Sequence, residues 1–140
     1  MRARIAVFSL SAALLLAGCA SLQISSKDKS RDDTLDGYAA TLRWGDFAGA
    51  YQFVDPDVRA KHPLDAATKA KYNKVSVAGY DAQPPATTGE NTIQQLVKIS
   101  LIDKGSQSSY DIVDHQSWRW DPTVKRWWLE SGLPDITPEQ

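Results

Sequence analysis

The fold is decided by residues 93–120, which have the sequence IQQLVKISLIDKGSQSSYDIVDHQSWRW. Apolar side chains recur at alternate positions on both sides of the central DKGS, at Ile93, Val97, Ile99 and Leu101 and then at Tyr110, Ile112, Trp118 and Trp120. Alternation of this kind is typical of β-strands that bury one face. Because Asp103-Lys104-Gly105-Ser106 has the composition of a tight turn, the stretch predicts two long antiparallel strands joined as a hairpin.

Two further strands are predicted on either side of this hairpin. Arg126 to Ser131 follows a turn at residues 121–125, and Val75, Val77 and Gly79 alternate more weakly before the hairpin. The intervening residues 83–89, QPPATTG, are not expected to hold a sheet ladder because proline lacks the donor. The prediction is therefore an antiparallel sheet of about four strands.

Upstream of the strands, the apolar spacing changes to that of helices. One helical face is formed at i, i+3, i+4 and i+7 by Leu35, Tyr38, Ala39 and Leu42. We expect Gly45 to end this helix and Asp46 to cap a second, which stops at Asp55-Pro56. A third short helix is predicted from its cap Asp65 to Tyr72. Helices followed by hairpin-linked strands define an α+β fold.

The start of the chain has the features of a secretory signal. Arg2 and Arg4 precede an apolar run over residues 5–16, which is too short to span a bilayer. The run ends in Leu16-Ala17-Gly18-Cys19, which resembles the lipobox of bacterial lipoproteins. That resemblance implies removal of residues 1–18 and lipidation of Cys19. The alternatives are a secreted protein with an incidental cysteine, or a buried apolar helix.

Attached acyl chains would hold the mature protein on a membrane, because two or more chains anchor stably where one binds reversibly. Ala20 follows the cysteine, and the resemblance to Gram-negative lipoproteins then implies sorting to the periplasmic side of the outer membrane. In a Gram-positive host the same motif would anchor to the only membrane. Cys19 is the only cysteine, so no disulfide can form within the chain.

The remaining chain is divided into a tether, one domain and a tail. Residues 19–33 are polar and of mixed charge, and are predicted to form a flexible tether; residues 34–134 form the domain and 135–140 the tail. The chain has 16 basic and 17 acidic residues. Removal of Arg2 and Arg4 with the signal leaves 14 basic and 17 acidic residues, a net charge of −3. Because the sequence also has no basic stripe, we expect no nucleic-acid partner.

The first corner and the last hairpin carry a family resemblance. Residues 38–51, YAATLRWGDFAGAY, and the pair Trp118-Arg119-Trp120-Asp121 and Trp127-Trp128-Leu129-Glu130 resemble NTF2-like (cystatin-like) domains, particularly small envelope lipoproteins. The resemblance implies a curved sheet that wraps a long helix to form a cone, whose mouth holds a substrate in some members. No clear hairpin precedes the third helix, so a shallower cone is expected.

The candidate pocket follows from the alternation of side chains along the predicted strand from Ser108 to Trp120. Asp114 and Gln116 share the even positions of Trp118 and are predicted to point inward with it, whereas His115 faces the other side. Tyr51 completes the candidate pocket. A carboxylate in an apolar pocket could act as a base, as in isomerases of the family, or could satisfy backbone groups. No catalytic set can be carried over from an enzymatic relative, so no catalytic residue is assigned.

The candidate partner surface consists of Arg119, Trp127 and Trp128. Adjacent strand residues face opposite sides, so at least one of the two tryptophans must face away from the core. An exposed indole beside arginine suits an envelope protein or glycan partner, while cross-strand packing is the alternative. His62 and His115 lie in no ligand-spaced cluster, so no metal or other cofactor is predicted.

Three functions remain open from the sequence. We expect a membrane-anchored lipoprotein with a small non-enzymatic binding or accessory domain in the cell envelope. An isomerase or dehydratase of the NTF2-like kind, with Asp114 as its base, is one alternative. An inhibitor or immunity-type lipoprotein against an envelope-active enzyme is the other.

Overall fold

The computed structural model describes residues 18–138, with side chains from residue 26 onward. The predicted signal sequence up to residue 17 and the thiol of Cys19 lie outside this part. The helices are α1 (Gly18–Arg43), α2 (Phe47–Ala50), α3 (Pro56–Lys61) and α4 (Ala66–Tyr72), with a 3₁₀ turn at Tyr51–Phe53. The strands are β1 (Val75–Ala82), β2 (Ala86–Gly89), β3 (Thr92–Asp103), β4 (Ser109–Asp121) and β5 (Arg126–Leu129).

The strands form one curved antiparallel sheet in the order β1-β3-β4-β5. β3 and β4 pair over eleven positions without a shift, from Thr92 opposite Arg119 to Ile102 opposite Ser109. β1 and β2 both pair with β3, β1 along its second half and β2 along its start. The predicted α+β class is confirmed, and the helices followed by a curved sheet fit the cone that the family resemblance implied.

Helix α1 packs its apolar stripe on the concave face of the sheet. Tyr38, Ala39 and Leu42 are buried, as their spacing predicts. Tyr38 meets Trp118 of β4 edge to face, with ring centroids 5.2 Å apart. Gly45 has a φ of 73° and ends the helix in the left-handed region. The sequence prediction of this corner is therefore confirmed.

Short polar caps set the remaining helix starts. The carboxylate of Asp46 accepts from the Gly49 amide at the start of α2, and that of Asp65 accepts from the Thr68 amide at the start of α4. Asp55-Pro56 does end the second helical segment, but it also starts a helix that was not predicted. Asp55 caps α3 by accepting from the Asp57 amide, and Pro56 occupies its first turn.

The predicted flexible tether is corrected for its described part, because residues 18–33 belong to α1. Ion pairs between side chains one turn apart accompany this stretch, with Lys29 Nζ 2.6 Å from Asp33 and Arg31 3.2 Å from Asp28. Lys27 then fixes it to the sheet, as its ammonium donates to the Glu90 carbonyl at 2.7 Å. The Lys27 contact joins residues 63 positions apart in the chain, which composition does not reveal.

Two further predictions are corrected. Ala86–Gly89 pairs with the start of β3 although prolines precede it, because Pro84 and Pro85 lie in the gap between β1 and β2 and need donate no ladder bond. The described part of the predicted tail belongs to the domain, since Ile136 is 4% exposed within the core. Among the described residues, no helix is long and apolar enough to cross a membrane.

Candidate functional site

The inner face of β4 carries a buried polar pair between apolar neighbours. Ile112, Asp114, Gln116 and Trp118 are all buried, while His115 is exposed on the outer face. The predicted parity of the strand is therefore confirmed. Because β4 pairs with β3 without a bulge, Asp114 and His115 stay on opposite faces of the sheet.

Gln116 links the polar side chains of this face into one network. Its amide nitrogen donates to Asp114 Oδ2 at 2.9 Å and to Tyr80 Oη at 3.0 Å. Its amide oxygen accepts from Trp118 Nε1 at 3.2 Å. Both donor hydrogens and the acceptor are thereby used, so the buried amide is satisfied within the protein. Three of the four predicted pocket residues, Asp114, Gln116 and Trp118, are thus brought together.

The electrostatics of the network follow from its burial. Loss of water raises the pKa of Asp114, although the hydrogen bond from Gln116 and the charge of His115 act to lower it. Burial likewise raises the pKa of Tyr80 to about 12. The pKa of Tyr38 is raised well above its usual value by burial and then by the nearby Asp114 charge. The cluster therefore holds two neutral phenols near a carboxyl that resists ionisation.

The hydroxyl group of Tyr38 is an unsatisfied polar group of this cluster. It is buried and has no hydrogen-bond partner among residues 18–138. A buried hydroxyl without a partner costs about 1–3 kcal/mol relative to a paired one. The hydroxyl thus has the capacity to donate to a further group near the network.

Tyr51, the fourth predicted pocket residue, lies at a different site. Its hydroxyl is within 3.1 Å of the Arg59 carbonyl and 2.9 Å of the His62 carbonyl. The ring lines a groove of about 540 Å³ between α3, α4 and the C-terminal segment. Asp114, Gln116 and Trp118 are not among the residues that line this groove. The structure therefore separates Tyr51 from the Asp114 network.

The predicted partner surface is divided between core and surface. Trp127 is 3% exposed and its indole nitrogen donates to the Lys27 carbonyl at 3.3 Å, so it is not available to a partner. Trp128 faces the other side and is half-buried beneath the Arg126 guanidinium, 4.3 Å from the ring centroid. The prediction that one of the two tryptophans turns away from the core is confirmed, and Trp127 is corrected to a core residue.

Arg119 holds the last hairpin against α3. Its guanidinium lies 2.5 Å from Asp55 Oδ2 and 3.6 Å from the Glu130 carboxylate. Burial acts to raise the pKa of Asp55, but the hydrogen bonds from Arg119 and the Asp57 amide outweigh it and leave that pKa below its usual value. These contacts engage Arg119 within the protein.

Sequence reasoning missed Tyr80 as a member of the network. Simple alternation from Val75 and Val77 places Gly79 inward and Tyr80 outward. The register shifts between Val77 and Gly79, so Tyr80 pairs with Ile99 on the inner face. A bulge adds one residue and reverses the parity of everything beyond it. Gly79 marks the place, since glycine within a strand often accompanies a bulge.

No metal centre emerges from residues 18–138, where no group of three or more His, Cys, Asp or Glu side chains is placed to bind an ion. The network around Asp114 includes the Gln116 amide, the phenols of Tyr38 and Tyr80 and the Trp118 indole. They suit hydrogen bonding and proton exchange better than metal binding.

Comparison with known proteins gives a likeness in fold. No family model and no curated protein matches the chain. Among solved structures, the chain is similar to a Mesorhizobium loti protein described as a SnoaL-like polyketide cyclase (carbohydrate phosphatase), with a TM-score of 0.42 and 13% identity. The likeness covers 69% of this chain and 92% of that one. It concerns the backbone arrangement alone.

Proposed function

We propose that the protein is a lipid-anchored lipoprotein of the bacterial cell envelope whose domain is a binding or accessory module. The anchor is supported by the order of Arg2, Arg4, the apolar run and Leu16-Ala17-Gly18-Cys19. An envelope protein, including an enzyme that the domain would inhibit, or an envelope glycan is the expected partner.

The closure of the Asp114 network carries the proposal of a binding module. Asp114 is 8% exposed, Gln116 1% and Tyr38 0%. A general base must approach the proton that it removes to about 2.6–3.2 Å between heavy atoms, or act through one water. Asp114 meets Gln116 at that distance instead, which favours a structural role for the carboxylate.

The Asp114→Asn variant tests this proposal in cells that lack the wild-type gene. The substitution keeps the size and an acceptor oxygen for Gln116 but removes the ionisable group. We expect the variant to support the same growth and envelope phenotype as the wild type. A phenotype as severe as gene deletion, in a variant that folds and reaches the membrane, would contradict the binding module.

A small isomerase or dehydratase is the second candidate function. The raised pKa of Asp114 and the unpaired hydroxyl of Tyr38 favour it, since proton transfer needs such groups together. In this case Asp114→Asn would lower turnover by a factor of about 100 or more, as expected when a general base is removed.

The anchor has its own test in Cys19→Ser. Only a thiol accepts the diacylglyceryl group in bacterial lipoproteins, so the variant should accumulate as an unprocessed or mislocalised precursor. Metabolic labelling with a fatty acid and separation of membrane fractions measure the outcome. Lipid labelling of the serine variant at the wild-type level would contradict the anchor.

A further inference from the structure

Trp44 is a freely exposed aromatic residue at the corner between α1 and α2. Its side chain is 88% exposed, more than any other large hydrophobic residue among those described. In that part of the chain the indole enters no ring contact and no hydrogen bond. Tryptophan is on average a highly buried residue. One exposed indole alone does not define a binding site, so the residues around Trp44 must also be considered.

A cleft begins directly after Trp44, at Gly45. Its volume is about 210 Å³ and its lining consists of Gly45, Asp46, Phe47, Ala48, Leu64, Lys69, Tyr72 and Asn73. The rings of Phe47 and Tyr72 stack with centroids 4.4 Å apart and planes 15° from parallel. An aromatic pair therefore forms a rigid part of the wall. Trp44 is joined to this wall through the backbone, because it directly precedes the lining residue Gly45.

The cleft also offers polar groups that the described part of the protein does not use. Asp46 Oδ1 accepts from the Gly49 amide at 2.7 Å, which leaves its second oxygen available. The Lys69 ammonium and the Asn73 amide side chain make no hydrogen bond within residues 18–138. The site thus combines an acceptor, an ammonium donor and an amide that can both donate and accept.

We propose that Trp44 and this cleft, together called the Trp44 site, bind a glycan of the cell envelope. The apolar face of a sugar ring packs on an indole, while its hydroxyls need the mixture of donors and acceptors that the cleft supplies. A protein partner is less well matched, because a stable protein interface buries more than about 1,000 Å². Among the described residues, the other exposed large hydrophobic side chains, Leu96, Val113 and Val124, lie outside this cleft, so the site has no extended apolar surface.

The position of the site relative to the proposed anchor suits such a ligand. Helix α1 has 26 residues, from Gly18 to Arg43, so its axis is about 39 Å long. Cys19 lies at one end and Trp44 follows the other. This step rests on the proposed lipidation, which would direct the Trp44 site away from the membrane.

The test is co-sedimentation of the full chain, in mild detergent, with insoluble peptidoglycan freed of protein. We expect the wild type to sediment and Trp44→Ala to bind at least about tenfold more weakly, as for a central aromatic contact. Asn73→Ala should weaken binding to a smaller extent. Val124→Ala serves as the matched control, since Val124 is a 58% exposed apolar residue in the distant β4–β5 turn.

Circular dichroism of each variant confirms that the fold is intact. Failure of the wild type to sediment, or equal sedimentation of Trp44→Ala, would overturn the glycan site. The Cys19→Ser chain is carried through the same assay and should sediment like the wild type. Because sedimentation of that chain does not depend on its lipid labelling, the assay tests the glycan site separately from the lipid anchor.

Discussion

At the scale of single residues, Asp114 makes the stability of the protein depend on pH. Burial raises its pKa above the value in the unfolded chain. The group therefore stabilises the fold fully below the unfolded pKa, and this contribution is lost as the pH rises through the folded pKa. Asn is neutral at every pH. The melting temperature of Asp114→Asn should therefore increase relative to that of the wild type as the pH rises.

Thermal unfolding of both proteins between about pH 4 and pH 8 measures this difference. Asp111→Asn is a control from the outer face of the same strand. Hydrogen bonds from Ser100 and Lys98 lower the pKa of Asp111 from its usual 3.8, so its contribution to stability is lost only as the pH falls below that value. The difference in melting temperature between Asp111→Asn and the wild type should therefore stay nearly constant over this range. A pH-independent difference for Asp114→Asn would show that burial does not disfavour its charged form.

At the scale of elements, the corner between α1 and α2 depends on Gly45. A Cβ at this position would meet no atom within 4 Å, so only the φ of 73° opposes a side chain. Gly45→Val should therefore cost about 1 kcal/mol or more in the free energy of unfolding. Gly45→Asn should cost less, because asparagine adopts left-handed φ more easily. If denaturant unfolding gives both variants the same free energy of unfolding as the wild type, the role of the left-handed φ at Gly45 is contradicted.

The N-terminal half of α1 depends in turn on Lys27. Its ammonium donates to Asn91 Oδ1 at 2.9 Å and lies 5.7 Å from the Trp127 ring and 6.0 Å from the Trp120 ring. Cation–π contacts contribute about 0.5–1 kcal/mol at exposed sites and more when shielded. Lys27→Ala should therefore increase hydrogen exchange over residues 26–33 and leave residues 38–42 protected.

Lys29→Ala provides the control for this experiment. Lys29 is 75% exposed and pairs only with Asp33 on the same helix in the described part of the chain, a solvent-screened contact that contributes little to stability. Hydrogen exchange should change little. Equal exchange in the two variants would mean that the contacts of Lys27 with the last hairpin do not hold this part of α1.

At the scale of the whole molecule, the C-terminal segment closes the fold between α4 and β4. Tyr72 Oη donates to the Pro134 carbonyl at 3.0 Å, and Tyr110 Oη donates to the Ile136 carbonyl at 2.7 Å. Ile136 inserts into the core between these anchors. Ile136→Ala should lower the free energy of unfolding by about 2–4 kcal/mol, through lost burial and the remaining cavity.

Urea unfolding measures this loss against Val124→Ala, which removes an exposed apolar side chain and should stay within about 0.5 kcal/mol of the wild type. Similar stabilities for the two variants would show that the segment after Pro134 contributes little to the fold.

Much of the architecture could be predicted from local patterns. The direction of Asp114 and Gln116 follows from the two-residue period of β4, because backbone geometry sends alternate side chains to opposite faces. The ends of α1 and α4 follow from Gly45 and Asp65, which satisfy backbone requirements within a few residues. The lipobox prediction likewise depends on adjacent residues and stays a prediction.

Only the tertiary structure decided the features that depend on distant partners. Parity requires Trp127 and Trp128 to face opposite sides, but pairing of Trp127 with Trp120 and contact with Lys27 determine which is buried. Tyr80 enters the network through a bulge that is stabilised against β3, and Lys27 is 63 residues from the carbonyl it binds. The spacing of residues in the sequence predicts the direction in which the backbone points a side chain. Whether that side chain is buried depends on surfaces that come into contact only after folding.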